Sequence, residues 1–81
     1  MSAIPLEDKF FNLLSAMLAV PRDQLDHATS RETVPQWDSL KHMHLMLALE
    51  DEFNVEFDDD EVSDLSSAAA LLGAIAAKGG K

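Results

Sequence analysis

Ser39 is the residue whose placement most invites chemistry. It follows Asp38 and precedes an apolar stretch, Leu40 to Phe53, that reads as a helix. A serine at a helix N-terminus lies beside unpaired backbone N–H groups and the positive end of the helix dipole. A phosphate esterified to its hydroxyl would be favourably placed there. The same position also suits a plain N-cap, which either Asp38 or Ser39 could provide. Asp38 is not read as a general base for a serine nucleophile. A carboxylate one residue upstream seldom reaches the hydroxyl proton in a usable geometry.

The other reactive side chains are sparse. The histidines are His27, His42 and His44. His42 and His44 stand two apart on one helix, so their rings point about 200° apart and cannot share a metal ion. His44 is expected at the surface and His42 half-buried. The glycines, Gly73, Gly79 and Gly80, form no phosphate cradle. The absence of cysteine removes disulfides, thiolate metal sites and cysteine nucleophiles together. Neither a metal site nor an enzyme is expected in a chain of this kind.

Charge is concentrated in one segment. The chain carries a formal −9, and residues 50–64 alone hold nine acids and no base. Phe53, Val55, Phe57 and Val62 interrupt this run, so it belongs to a packed element with outward acids rather than a solvated tail. A calcium loop is excluded by spacing. Counted from Asp58, the sixth and twelfth positions hold Ser63 and Ala69, where the loop needs Gly and Glu. A chain of this sign repels phosphate backbones and anionic lipid, so nucleic acid and membrane are poor partners and a basic protein surface is the expected one.

The elements that position these residues follow from periodicity. Four Val, two Ile and two Thr stand against twelve Leu and eleven Ala, a ratio that favours helix. Leu6, Phe10, Leu13, Leu14, Met17 and Leu18 keep a 3.6-residue period, predicting a first helix from Pro5 to at most Val20, where Pro21 stops it. Arg22 to Gln36 is a long polar connection with one or two short turns, anchored by Leu25, Ala28 and Val34. A second helix, capped by Asp38 or Ser39, runs to about Phe53, with Asn54 ending it. Leu45, Met46, Leu49 and Phe53 make its core stripe. Leu40, Met43 and Leu47 make a second stripe, spaced i, i+3, i+7, which so small a domain has little means to bury.

Asp58 with Glu61 forms a capping box for a short helix, Asp59 to about Ser63. Ser66 or Ser67 caps a last helix, Ala68 to Ala77, with Leu71, Leu72 and Ile75 facing inward. The expected fold is all-α: a small antiparallel four-helix bundle, its third helix short, with a long loop between helices 1 and 2. Phe10, Leu14, Leu45, Leu49, Phe53, Leu65 and Leu72 are its expected core. Residues 1–81 make one domain with 1–4 and 78–81 fraying, and a monomer is expected. Met1 to Leu6 lacks the pattern of a signal peptide, and no apolar run approaches the roughly 18 residues of a membrane span. A cytoplasmic location is the corresponding expectation.

The run WDSLKHMHLMLALEDEFNVEFDDDEVSDLSS resembles the acyl carrier proteins, in which a D-S-L tripeptide opens the second of four helices. There, as in Leu45 to Phe53 here, the helix continues apolar and ends in acids and a Phe. An extended apolar step (Val55, Phe57), an acidic short helix ending at Leu65, and a Ser66-Ser67 cap complete the likeness over about residues 34–77. The resemblance implies that a phosphopantetheinyl transferase with Mg²⁺ attaches 4′-phosphopantetheine from coenzyme A to Ser39, with Asp38 helping to orient the site. It further implies acyl or aminoacyl cargo carried as a thioester and presented to loading and tailoring enzymes, the carrier itself catalysing nothing. Leu40, Met43, Leu47, Glu50 and Asp51 of the second helix, with Asp59 and Glu61 of the third, are the implied docking surface for basic partner faces.

Three positions depart from the fatty-acid carriers. Trp37 stands where they have a small residue, and Lys41 and His44 stand where they have acids. These departures point to a stand-alone carrier for a specialised lipid, polyketide or aminoacyl pathway. The competing class is a small acidic helical interaction module that uses the Leu40, Met43 and Leu47 stripe without any prosthetic group.

Overall fold

The computed structural model of the protein describes residues 6–80. Within them the fold is an all-helical bundle: α1 Leu6–Leu18, a 3₁₀ turn Arg22–Gln24, α2 Ser39–Phe53, α3 Asp59–Asp64 and α4 Ala68–Ala77. Pro5, assigned to the first turn of α1, lies outside the described residues. The far end of α1 falls short of Val20 because Pro21 disfavours a helical Val20. Ala19 turns left-handed at φ 56° instead, and the Val20 N–H reaches back to the Ser15 carbonyl at 3.2 Å.

Local chemistry sets the remaining boundaries. Asn54 ends α2 at φ 56° and ψ 49°, a conformation that asparagine tolerates better than most residues. Asp58 and Glu61 form the reciprocal capping box that starts α3. The Ser67 side chain accepts from Ala70 N–H at 3.2 Å to start α4. Residues 78–80, expected to fray, instead close α4. Gly79 is left-handed at φ 76°, its N–H donates to Ala76 O at 3.1 Å, and Gly80 N–H donates to Ile75 O at 2.8 Å. That pair of bonds is a Schellman cap. Residues 1–4 and Lys81 lie outside the described residues.

Helix faces converge on a single core. Phe10, Phe11, Leu14 and Leu18 from α1 meet Leu45, Met46, Leu49 and Phe53 from α2 and Ala68, Leu71 and Ile75 from α4. Leu25, Trp37 and Val55 complete it from the connections. Leu65 and Leu72, expected inside, are half-buried and pack on its edge. In the Ala-rich α4 either Leu could face inward by composition, and the helix phase gives the buried place to Leu71.

The long connection is stitched down rather than draped. Leu25 is buried and Val34 half-buried, but Ala28, expected as an anchor, is exposed. Thr29 takes that role: its hydroxyl accepts from Asp26 N–H at 2.9 Å and its carbonyl accepts from Ala68 N–H at 2.8 Å. Ser30 and Ser67 pair as an isolated antiparallel bridge, and Arg31 N–H donates to Ser66 O at 3.1 Å. The loop before α2 is thereby fixed to the α3–α4 junction.

Candidate functional site

The start of α2 is built by Asp38. Its backbone is extended, φ −90° and ψ −175°, and its Oδ1 accepts from Lys41 N–H at 2.9 Å. That leaves Ser39 as the first helical residue, with its side chain exposed. The carboxylate of Asp38 is engaged in capping, which agrees with the reading that it is not a base for the neighbouring hydroxyl. The contact to Ser39 Oγ comes from farther away: Arg31 Nη2 donates to it at 3.1 Å. Arg31 Nε also donates to Trp37 O at 3.4 Å, so the guanidinium spans the two residues flanking Asp38.

Beneath this mouth Trp37 and His42 form a buried polar pair. Trp37 is 2% exposed and His42 3%. Indole N–H can only donate, so His42 Nδ1 accepts it at 3.0 Å and Nε2 carries the proton, donated to Val62 O at 2.7 Å. The imidazole thus links the loop, α2 and α3 through its neutral form. Burial lowers the pKa of His42; the Val62 carbonyl opposes this, and the charge of Arg31 reinforces it. His42, expected half-buried, is a core residue, while His44 is exposed as expected.

Leu40, Met43 and Leu47 line one side of α2 at 66%, 54% and 60% exposure. The second stripe is therefore an unburied apolar face, followed one turn on by exposed Asp51; Asp59 of α3 is exposed as well. Two acids expected on the same surface are also structural. Glu50 is half-buried and its Oε2 accepts from Phe57 N–H at 2.7 Å, bracing the α2–α3 step. Glu61 closes the capping box and pairs with Lys78 Nζ at 2.8 Å. The Lys78 hydrogen bond, with the Asp58 backbone bond, holds the Glu61 carboxyl below its ordinary range.

Residues 37–75 match the protein-family model described as phosphopantetheine attachment site. The matched stretch takes in the Trp37–His42 pair, all of α2 and α3, and α4 as far as Ile75. The match is consistent with the acyl carrier proteins, and domains of the matched family bind covalently attached 4′-phosphopantetheine. No curated protein matches the chain closely enough to serve as a relative. In the described residues no helix is long and apolar enough to cross a membrane.

Two features of this site are absent from the sequence reading. Arg31 lies eight residues before Ser39 in a polar loop, with no periodicity to mark its aim. The Trp37–His42 bond joins residues on either side of the helix cap. The one available signal was the placement of two polar-tipped rings five positions apart around a helix start.

Proposed function

We propose that Ser39 receives the phosphopantetheine arm and that the chain carries acyl or aminoacyl groups to partner enzymes. The observation that carries this reading is the exposed Ser39 hydroxyl at the first position of α2, inside the family match and beside a guanidinium. The group fits these residues. An exposed hydroxyl admits a bulky donor, and a cationic side chain at a helix N-terminus suits an anionic phosphodiester. In the transfer, the bond from Ser39 Oγ to phosphorus forms and the pyrophosphate bond of coenzyme A breaks. 3′,5′-ADP leaves, and the hydroxyl proton passes to a base of the transferase. When bound, the arm supplies the terminal thiol that this cysteine-free chain lacks.

The rest of the function falls to this chain's surface. Leu40, Met43 and Leu47 offer apolar contact to a partner, and Asp51 and Asp59 attract basic residues. Asp38 sets the cap that presents Ser39 outward. Exposed Lys41 and His44 thin the acidic face near the serine, which favours dedicated partners over the fatty-acid enzymes. The protein acts as a cofactor-bearing substrate of other enzymes and not as a catalyst.

Incubation with coenzyme A and a broad-specificity phosphopantetheinyl transferase tests the assignment. Intact mass should rise by one phosphopantetheinyl group, and peptide mapping should place it on the fragment containing Ser39. Ser39→Ala should fold and accept nothing. Modification that survives in that variant would overturn the assignment of Ser39.

A further inference from the structure

We propose that Arg31 is this protein's own anchor for the phosphodiester of the arm; this rests on the assignment of Ser39 above. Its guanidinium is held in place before any arm arrives. Nη2 lies 3.1 Å from Ser39 Oγ and Nε 3.4 Å from Trp37 O, while the Arg31 backbone N–H is tied to Ser66 O at 3.1 Å. The adjoining Ser30–Ser67 bridge fixes the loop on the same junction. The residue is half-buried and its Nε contact to Trp37 O part-buried, while the Nη2 contact to Ser39 Oγ lies in the open, where an attached group can meet it.

The contacts it makes are to neutral oxygens. The ion pairs found among the described residues belong to Arg22, His27 and Lys78, so the charge of Arg31 has no carboxylate partner there. Esterification of Ser39 changes that. The non-bridging phosphate oxygens sit two bonds beyond Oγ, within reach of a donor already hydrogen-bonded to Oγ. A planar guanidinium matches two such oxygens at once, which a lysine ammonium cannot.

Electrostatics supplies the need. Asp38 places a carboxylate next to the attachment point, and the nine acids of residues 50–64 add to a negative field across the domain. A phosphodiester monoanion added there is repelled unless a fixed cation offsets it. Arg31 is the cation that contacts the esterified oxygen. It would hold the base of the arm against the loop side of α2 and restrict its swing, leaving the Leu40, Met43 and Leu47 face clear for a partner.

The test uses the loaded protein and two readouts besides carrier activity. Peptide mapping first locates the arm. In ¹⁵N-labelled wild type, the Arg31 Nε–H resonance should shift on conversion from apo to holo. The ³¹P resonance of the holo protein should differ from that of a short peptide bearing the same arm on serine. In Arg31→Gln the ³¹P signal should move to the peptide value, and in Arg31→Lys it should lie between. An arm on Ser39 with an unmoved Arg31 Nε–H, or a ³¹P signal unchanged in Arg31→Gln, overturns the role of Arg31 and leaves Ser39 standing. An arm found on another hydroxyl overturns both.

Discussion

The indole N–H of Trp37 and Nδ1 of His42 meet at 3.0 Å inside the core, one residue before the helix cap and four after it. The bond exists only while Nδ1 is unprotonated, because two N–H groups would otherwise face each other. Deprotonation of His42 at Nδ1 is therefore part of what holds Trp37 to α2, while the Nε2–H bond to the Val62 carbonyl of α3 is available in either state.

Stability should fall as pH falls through this pair. The folded pKa of His42 is lowered below its ordinary value, so between the two values the unfolded chain binds more protons. The contribution is fully present above the unfolded value of about 6.5 and is lost progressively as pH drops toward the folded value. Thermal unfolding from pH 8 to 5 should show this decline, with fluorescence of Trp37, the one tryptophan, changing over the range where native His42 protonates. His42→Gln should flatten the decline above pH 5. An equally steep profile in that variant would assign the effect elsewhere.

Truncation of the α2 core stripe should be costly. Leu49 and Phe53 are each 0% exposed within the core that α2 shares with α1 and α4. Leu49→Ala and Phe53→Ala should each lose about 2–5 kcal/mol, a large share of what so small a domain has. Leu47→Ala, on the exposed stripe of the same helix, should change stability by no more than about 0.5 kcal/mol. Urea denaturation of the three variants checks the facing of α2 directly.

Features decided within a few residues were legible in the chain. The Asp58–Glu61 box and the Ser67 cap each use a side chain acting on backbone three positions away, and Asn54 takes a left-handed backbone that its residue type tolerates, so residue type and spacing sufficed. The exposed Leu40, Met43 and Leu47 stripe was legible for the same reason, as a second face on an already amphipathic helix. What was not legible depends on how the loop lands. Thr29 in place of Ala28, Trp37 in the core and Arg31 against Ser39 follow from the tie between the loop and the α3–α4 junction. The half-burial of Leu72 beside a fully buried Leu71 follows from a helix phase that an Ala-rich segment does not specify.

Screening should stabilise the domain at neutral pH. Nine acids within residues 50–64 repel one another. Within that segment Glu61 has a lysine partner, Lys78, while Asp51, Asp59 and Asp60 are exposed. Raising ionic strength from about 0.01 to 0.15 M shortens the Debye length from roughly 30 to 8 Å and weakens that repulsion. The melting temperature should rise by a few degrees over this range at pH 7. A melting temperature indifferent to salt would mean that the acids are already compensated.

Docking should be steered by charge on a defined face rather than by net charge. Glu50 and Glu61 are poor probes of this, because reversing either breaks a contact within the fold: the Phe57 N–H bond in one case, the capping box and Lys78 pair in the other. Asp51 and Asp59 are exposed acids on α2 and α3, so their reversal tests the surface with least structural cost. Asp23, exposed in the 3₁₀ turn, is the matched control, since Asp23→Lys alters net charge by the same amount. Asp51→Lys and Asp59→Lys should each slow association with the phosphopantetheinyl transferase about threefold to tenfold at low salt, with the difference shrinking as salt rises. Asp23→Lys should leave the rate near that of wild type. Stopped-flow association at several ionic strengths separates the cases. Equal slowing by all three reversals would show that the transferase senses only the overall negative charge, and that the exposed acids of α2 and α3 form no recognition surface.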